Sequence, residues 1–327
     1  MRILLTGGAG YIGSHTAIEL INAGHEIVII DNLCNSQYSV ISAIEKITEK
    51  KIDFVEGDIR NSTVLRNIFE RVAIDGVMHF AGLKAVGESV LSPLIYFDNN
   101  VGGTLSLLQA MHESNVRTIV FSSSATVYGN PNYLPLDEQH PTSATNPYGR
   151  TKLHIEQILY DLAYSDPRWK VICLRYFNPV GAHQSGLICE NPVGVPNNLM
   201  PYIVQVAMEK RGFVNIFGND YSTHDGTGIR DYIHILDLAA GHLAGFEYIS
   251  QNAGWHAVNL GTGNGFSVLE LIRQFEIAHR ISIPFQITNR RQGDVAELIA
   301  NNEKAKALLN FNCNYTIKDM CISSWQK

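Results

Sequence analysis

Arg2-Ile3-Leu4-Leu5-Thr6-Gly7-Gly8-Ala9-Gly10-Tyr11-Ile12-Gly13 decides the fold. The apolar run at its start predicts a short buried strand, the glycines at 7, 10 and 13 predict a tight turn, and the apolar spacing of residues 14–23 predicts a helix. Strand, glycine turn and helix in that order make a dinucleotide cradle. The glycines allow the tight turn, let backbone approach a pyrophosphate and let helix pack on strand, while the first N–H groups of the helix face the phosphates. A second strand, residues 25–30, ends in Asp31, roughly 20 residues beyond the turn. A carboxylate there accepts hydrogen bonds from ribose hydroxyls and repels a 2′-phosphate, so the expected cofactor is NAD rather than NADP. An aspartate ending a strand can also be a simple turn residue; its place after this glycine run favours the cofactor role.

Outward from this unit, strand-like and helical segments alternate, which predicts an α/β protein with a doubly wound parallel sheet. Strands are expected at 3–5, 26–30, 53–56, 76–80, 118–122 and 171–175. Their C-terminal ends carry Asp58-Ile59, Ala81-Gly82, Ser122–Ser124 and Tyr176-Phe177-Asn178, where an open α/β sheet places its ligand crevice. Residues 181–199 are rich in Gly, Pro and Asn and read as an extended loop into a smaller α/β substrate region. The expected division is 1–176 for the dinucleotide domain and 177–327 for the substrate domain. The latter is discontinuous, with a segment near 230–260 returning to the main sheet through a strand at 257–260.

The chain has 327 residues, 45% hydrophobic and 17% charged, enough for a sizeable core. A formal charge of −6 argues against nucleic-acid or anionic-membrane partners. Five cysteines, at 34, 173, 189, 313 and 321, are odd in number and form no close pair, which fits a reducing compartment. No stretch approaches the ~18 apolar residues needed to span a bilayer, and no secretion signal is read, so the expected location is cytoplasmic. The histidines lack metal-ligand clustering, and no metal is expected.

Tyr148 and Lys152 stand one turn apart just inside a helix start, where Asn146 or Thr145 can cap and Pro147 suits the first turn. Ser124 precedes them at the end of a β-like run. An ammonium beside a phenol favours the phenolate, lowering a pKa that starts near ~10. Tyr148 is thereby expected to exchange a proton with a substrate hydroxyl. A tyrosine and a lysine at helical spacing are otherwise ordinary surface residues; the cradle upstream gives them a reaction partner.

Four motifs, 6–13, Ser122-Ser123-Ser124-Ala125-Thr126-Val127-Tyr128-Gly129, Tyr148-Gly149-Arg150-Thr151-Lys152 and Arg175-Tyr176-Phe177-Asn178-Pro179, resemble the extended short-chain dehydrogenase/reductase superfamily. With 31–36, 79–89, 196–201 and Arg230-Asp231-Tyr232-Ile233-His234, the chain is similar over nearly its whole length to the UDP-glucose 4-epimerase family. That resemblance implies a reaction without net redox change. Tyr148 takes the proton of the sugar 4-hydroxyl while the C4 hydride passes to NAD; the 4-keto sugar turns over in the site, and hydride returns to its other face. Ser124 hydrogen-bonds the 4-oxygen, and Lys152 holds the nicotinamide ribose.

By the same resemblance the cofactor is gripped by Gly7, Gly10, Tyr11, Ile12, Gly13, Asp31, Asn32, Leu33, Cys34, Asn35, Ser36, Asp58, Ile59, Phe80, Ala81, Gly82, Leu83, Lys84, Asn99 and Phe177. Lys84, Ser124 and Tyr148 also reach the substrate, with Asn178, Asn198 and Leu199 around its diphosphate and sugar and Phe217 near the uracil. Arg230, Arg291 and Asp294 meet the phosphate and uridine ribose, and a guanidinium suits a phosphate through paired hydrogen bonds. Leu298 departs from the pattern. The glucose-restricted bacterial epimerases place a tyrosine there, and relatives that take N-acetylated sugars a smaller residue. The leucine implies UDP-glucose and UDP-galactose as substrates with weaker action on UDP-N-acetylglucosamine and UDP-N-acetylgalactosamine. A homodimer through helices of the NAD domain is also implied.

Two other readings are disfavoured by residues. A sugar-nucleotide 4,6-dehydratase needs acidic residues just after the active-site serine to eliminate water, and Ala125 and Thr126 stand there. A non-catalytic NAD-binding regulator has no need of Ser124, Tyr148 and Lys152 together.

Overall fold

The computed structural model describes residues 1–192, 194, 196, 198–291 and 293–326. Asn197, in one of the motifs above, lies outside them.

Seven parallel strands form the main sheet. They are β1 (Arg2–Thr6), β2 (Glu26–Asp31), β3 (Asp53–Glu56), β4 (Gly76–His79), β5 (Thr118–Ser124), β6 (Lys170–Tyr176) and, after three strands of a smaller region, β10 (Gly254–Leu260). Strands this apolar need both faces covered, and β1 shows how. Successive side chains point to opposite faces. Ile3 and Leu5 pack on one side with Ala17 and Leu20 of the Tyr11–Asn22 helix and Phe246 of the Ile235–Gln251 helix. Leu4 packs on the other with Leu65, Leu107, Ile155 and Leu159 of the helices Ser62–Arg71, Gly103–Glu113 and Pro147–Ser165.

The strand order is β10-β6-β5-β4-β1-β2-β3. The chain therefore winds outward from β1 to β3, then crosses back to β4 on β1's other side, and the β1/β4 boundary is the switch point where ligands enter. The boundary is pinned by a buried chain from Thr6 Oγ1 through the His79 ring (2.6 Å) to Thr104 Oγ1 (2.8 Å). Burial lowers the His79 pKa to about 3, with the Lys152 charge adding to the effect, so the ring serves as a neutral hydrogen-bonding strut.

Between β6 and β10 run β7 (Asn178–Val180), the Leu199–Ala207 helix, β8 (Val214–Phe217) and β9 (Ile229–His234). β11 (Gly265–Ser267) and β13 (Glu297–Leu298) join β9, as does β7, while β12 (Phe285–Thr288) pairs with β8. Met200, Ile203, Ile216, Leu271 and Phe275 fill a separate core beneath them. Residues 257–260 fall within β10, which pairs in parallel with β6. The stretch 230–234 instead belongs to β9 in the smaller sheet, because β7 and β11 satisfy its backbone there. Among the described residues, no helix is long and apolar enough to cross a membrane, and all five cysteines are free thiols.

Candidate active site

The glycine turn is shaped for close approach. Gly7 has φ +69°, and a Cβ on it would meet the Ala81 backbone at 2.7 Å; one on Gly13 would meet the Gly7 carbonyl at 2.5 Å. Gly10 precedes the Tyr11–Asn22 helix in extended conformation with no side-chain cap, so the first N–H groups of the helix are left for a ligand.

Asp31 closes β2. Its Oδ2 accepts from the Ala9 N–H at 3.0 Å, and its Oδ1 from the Leu33 N–H and the Ser36 hydroxyl, both at 2.9 Å. A carboxylate has roughly four acceptor positions. Asp31 thus organises the 31–36 loop while keeping capacity for a ribose. Beside it, Asn32 donates to Asp58 Oδ2 at 3.1 Å, and the Arg60 guanidinium holds the Asp58 carboxyl down at about 2.

One crevice is lined by Gly7, Gly10, Tyr11, Ile12, Gly13, Asp31, Asn32, Cys34, Asn35, Ser36, Asp58, Ile59, the residues Phe80 to Lys84, and Asn99. Leu33 lies off its wall, packed against the core beneath. Phe177 is buried beside Ala125, Val127 and Tyr128. The crevice fits a dinucleotide: Gly7 and Gly13, where a side chain would strike backbone, an uncapped helix start and a buried carboxylate at the end of β2.

The proton-transfer group forms where the C-terminal end of β5 meets the first turns of the Pro147–Ser165 helix. Asn146, rather than Thr145, caps this helix, its Oδ1 accepting from the Gly149 N–H at 2.9 Å. Tyr148 and Lys152 follow on successive turns, and the Tyr148 hydroxyl is hydrogen-bonded by Ser124. The Ser124 hydroxyl oxygen also accepts from Thr126 Oγ1 at 3.0 Å. Lys152 is buried, with Nζ donating to the Ser122 carbonyl at 2.7 Å and standing 4.9 Å from the Phe121 ring centre.

One electrostatic expectation is corrected. The neighbouring Lys152 predicts a lowered Tyr148 pKa, yet burial pushes it up to about 12, opposed by the Ser124 hydrogen bond. The ammonium is 6.0 Å from the Tyr148 ring centre and engaged by Ser122. Burial also lowers Lys152 itself to about 8, with the Glu156 carboxylate opposing. Desolvation thus outweighs the Ser124 hydrogen bond, and this geometry stores the tyrosine as a phenol.

Of the substrate-side residues, Arg230, Asp294, Leu298 and Asn178 gather along β9, while Phe217 with Arg291 at the end of β8 and Asn198 with Leu199 at a helix start lie on other elements. Arg230 Nη1 donates to the Ile229 carbonyl at 2.8 Å, and its Nη2 stands 3.8 Å from Asp294. Leu298 lies in register opposite Arg230 and packs on the cluster of Ala125, Tyr128 and Phe177. Phe217 ends β8 with its ring exposed, and the Arg291 guanidinium lies over it at 4.4 Å. Asn178 begins β7 directly after Phe177, whereas Asn198 and Leu199 start the Leu199–Ala207 helix.

Two features escaped the sequence reading. Glu156, one turn beyond Lys152, forms a buried pair with Arg175 of β6 at 2.6 Å and accepts from Ser123 Oγ at 2.5 Å. The continuation of the 148/152 spacing to 156 was its only signal. Glu190, in the 181–199 loop, receives both Lys84 Nζ at 2.9 Å and Asn198 Nδ2 at 2.7 Å. No local pattern marks it.

Known proteins resemble this chain throughout. A family model described as GDP-mannose 4,6 dehydratase matches residues 4–323. UDP-glucose 4-epimerase of Dictyostelium discoideum is 55% identical over 99% of this chain and 95% of its own length, and that of Bacillus subtilis 51% identical over 100% and 96%. The crystal structure of UDP-glucose 4-epimerase from Bifidobacterium longum in complex with NAD+ and UDP superposes with a TM-score of 0.97 at 49% identity, covering 99% of this chain and 97% of that one.

Proposed function

The chain belongs to the UDP-glucose 4-epimerase family, and from that membership we infer that it is an NAD-dependent enzyme interconverting UDP-glucose and UDP-galactose by inversion at C4. The observation that carries this reading is the convergence of Ser124, Tyr148 and Lys152 beside a glycine-lined crevice in a chain matched end to end by such enzymes. Bound NAD supplies the acceptor, and later the donor, of the C4 hydride. The chain's residues handle the rest. Tyr148 exchanges the proton of the 4-oxygen, Ser124 holds that oxygen, and Lys152 provides positive charge and a hydrogen bond toward the nicotinamide ribose. Arg230, Arg291, Asn178 and Asn198 supply donors for the diphosphate, with Phe217 for the base.

The family model's description names a dehydratase, but elimination of water needs an acid and a base beside Ser124. Those places hold Ala125 and Thr126, and the Thr126 hydroxyl is bonded to Ser124 itself. Incubation with UDP-galactose and no added NAD separates the readings: UDP-glucose supports epimerisation, a 4-keto-6-deoxy product supports dehydration, and no product supports a silent NAD-binding protein.

Specificity follows from Leu298. Against Ala125 and Phe177 it offers a smaller wall than a tyrosine, yet a bulkier one than the most permissive sites need. Overpacking costs about 1 to 3 kcal/mol, roughly a ten- to hundred-fold rate loss, so UDP-N-acetylglucosamine is expected to react measurably but less well than UDP-glucose. The ratio of kcat/KM for the two, with Leu298→Tyr alongside, tests it; an inert N-acetyl substrate or an unchanged ratio removes Leu298 from the wall. The working unit is a homodimer, a reading supported by exposed apolar side chains on the helices around 86–96; five free thiols suit the reducing conditions of a cytoplasm.

A further inference from the structure

Glu190 is a carboxylate on the wall of a crevice built for diphosphates, where negative charge is unfavourable unless a cation offsets it. Its side chain is only 8% exposed, and the cation is Lys84, at 2.9 Å. The same oxygen, Oε1, accepts from Asn198 Nδ2 at 2.7 Å. These contacts join three separate parts of the chain. Lys84 lies on the loop after β4, on the cofactor side; Asn198 starts the Leu199–Ala207 helix, on the substrate side; Glu190 sits in the 187–192 stretch, which lines the same crevice as the glycine turn.

We propose that Glu190 is a positioning residue that clasps the crevice shut over bound NAD by holding Lys84 and Asn198. The proposal rests on the epimerase reading, in which the reduced cofactor must outlast the rotation of a free ketone in the site. Only non-covalent contacts are involved. The clasp fixes the Lys84 ammonium between the carboxylate and the crevice, where it serves the phosphates as well. It also ties the 187–192 wall to the 80–84 loop, so NAD leaves only after the ion pair opens.

The test uses the holoenzyme. Parent, Glu190→Gln, Lys84→Met and the double variant are incubated with an NAD-cleaving hydrolase, and the NAD still on the protein is followed in time. Glu190→Gln is expected to lose NAD about five- to tenfold faster than the parent, the size expected of a charge-assisted bond whose cation is half exposed. The double variant should lose it no faster than Lys84→Met alone, since both changes open one clasp. Additive effects overturn the proposal, as does a Glu190→Gln protein that keeps NAD as long as the parent. A general loss of stability would add to Lys84→Met, so the double variant decides even where Glu190→Gln folds less well. A parent that never carries NAD defeats the epimerase reading, and the clasp with it.

Discussion

At the scale of single residues, the site is governed by desolvation more than by proximity. Tyr148 at about 12 and Lys152 at about 8 lie on opposite sides of their ordinary values, and burial leads in both. Removing the phenol while keeping its ring, as in Tyr148→Phe, should leave UDP-sugar binding intact and reduce kcat by roughly 10² to 10⁴; near-normal turnover would dismiss Tyr148 as the proton carrier. The lysine carries a pH prediction. Lys152 is an ammonium below about pH 8 and neutral above it, and only the ammonium supplies the positive charge proposed for the nicotinamide ribose. Turnover should therefore decline as pH rises through about 8. Glu156 raises the Lys152 pKa, so Glu156→Gln should move this alkaline limb to lower pH. A kcat profile whose limb stays in place separates Glu156 from the charge of Lys152.

At the scale of elements, three pieces must be held in register: the end of β5 with Ser124, the Pro147–Ser165 helix with Tyr148 and Lys152, and β6, which leads into Phe177 and Asn178. Glu156 touches all three through Ser123, its own helix and Arg175, and Arg175 Nη1 continues to the Tyr128 hydroxyl, which donates to Asn259 of β10 at 2.6 Å. A buried ion pair adds little net stability, but losing one partner strands the other charge, at about 3 to 5 kcal/mol. Glu156→Ala leaves the buried Arg175 guanidinium without its carboxylate. Its urea midpoint should fall accordingly, whereas a change within experimental scatter would mean that water or another acceptor replaces Glu156. The glycine run was legible because its requirements are local: a turn, a close approach, a helix start. The Glu156–Arg175 pair was not, since each residue alone reads as a surface charge and only the strand order brings them together.

At the scale of the whole molecule, the parallel sheet could be read from alternating segments, and the return of residues 257–260 from one apolar strand. The smaller region was harder. Its strands are short, β13 spanning only Glu297–Leu298, and pairings such as Lys84 with Glu190 span 106 positions that no periodicity records. What the fold leaves uncovered carries the last prediction. Leu91 and Leu94, 85% and 83% exposed, lie with Ile95 on the short helices Val86–Leu91 and Pro93–Tyr96. Both helices pack against the Pro147–Ser165 helix, which exposes Tyr160 and Tyr164. Large side chains left in water on adjoining helices lose the transfer energy that covering them would return, about 25 cal/mol per Å². A second copy presents the same residues and can cover both sets by two-fold symmetry. Sedimentation equilibrium at micromolar concentration should therefore give twice the chain mass of 36.3 kDa, and Leu94→Glu, which puts a charge among these side chains, should shift the equilibrium toward the monomer. A parent that sediments as a single chain rules the dimer out, and a Leu94→Glu variant that stays fully dimeric puts the contact on another face.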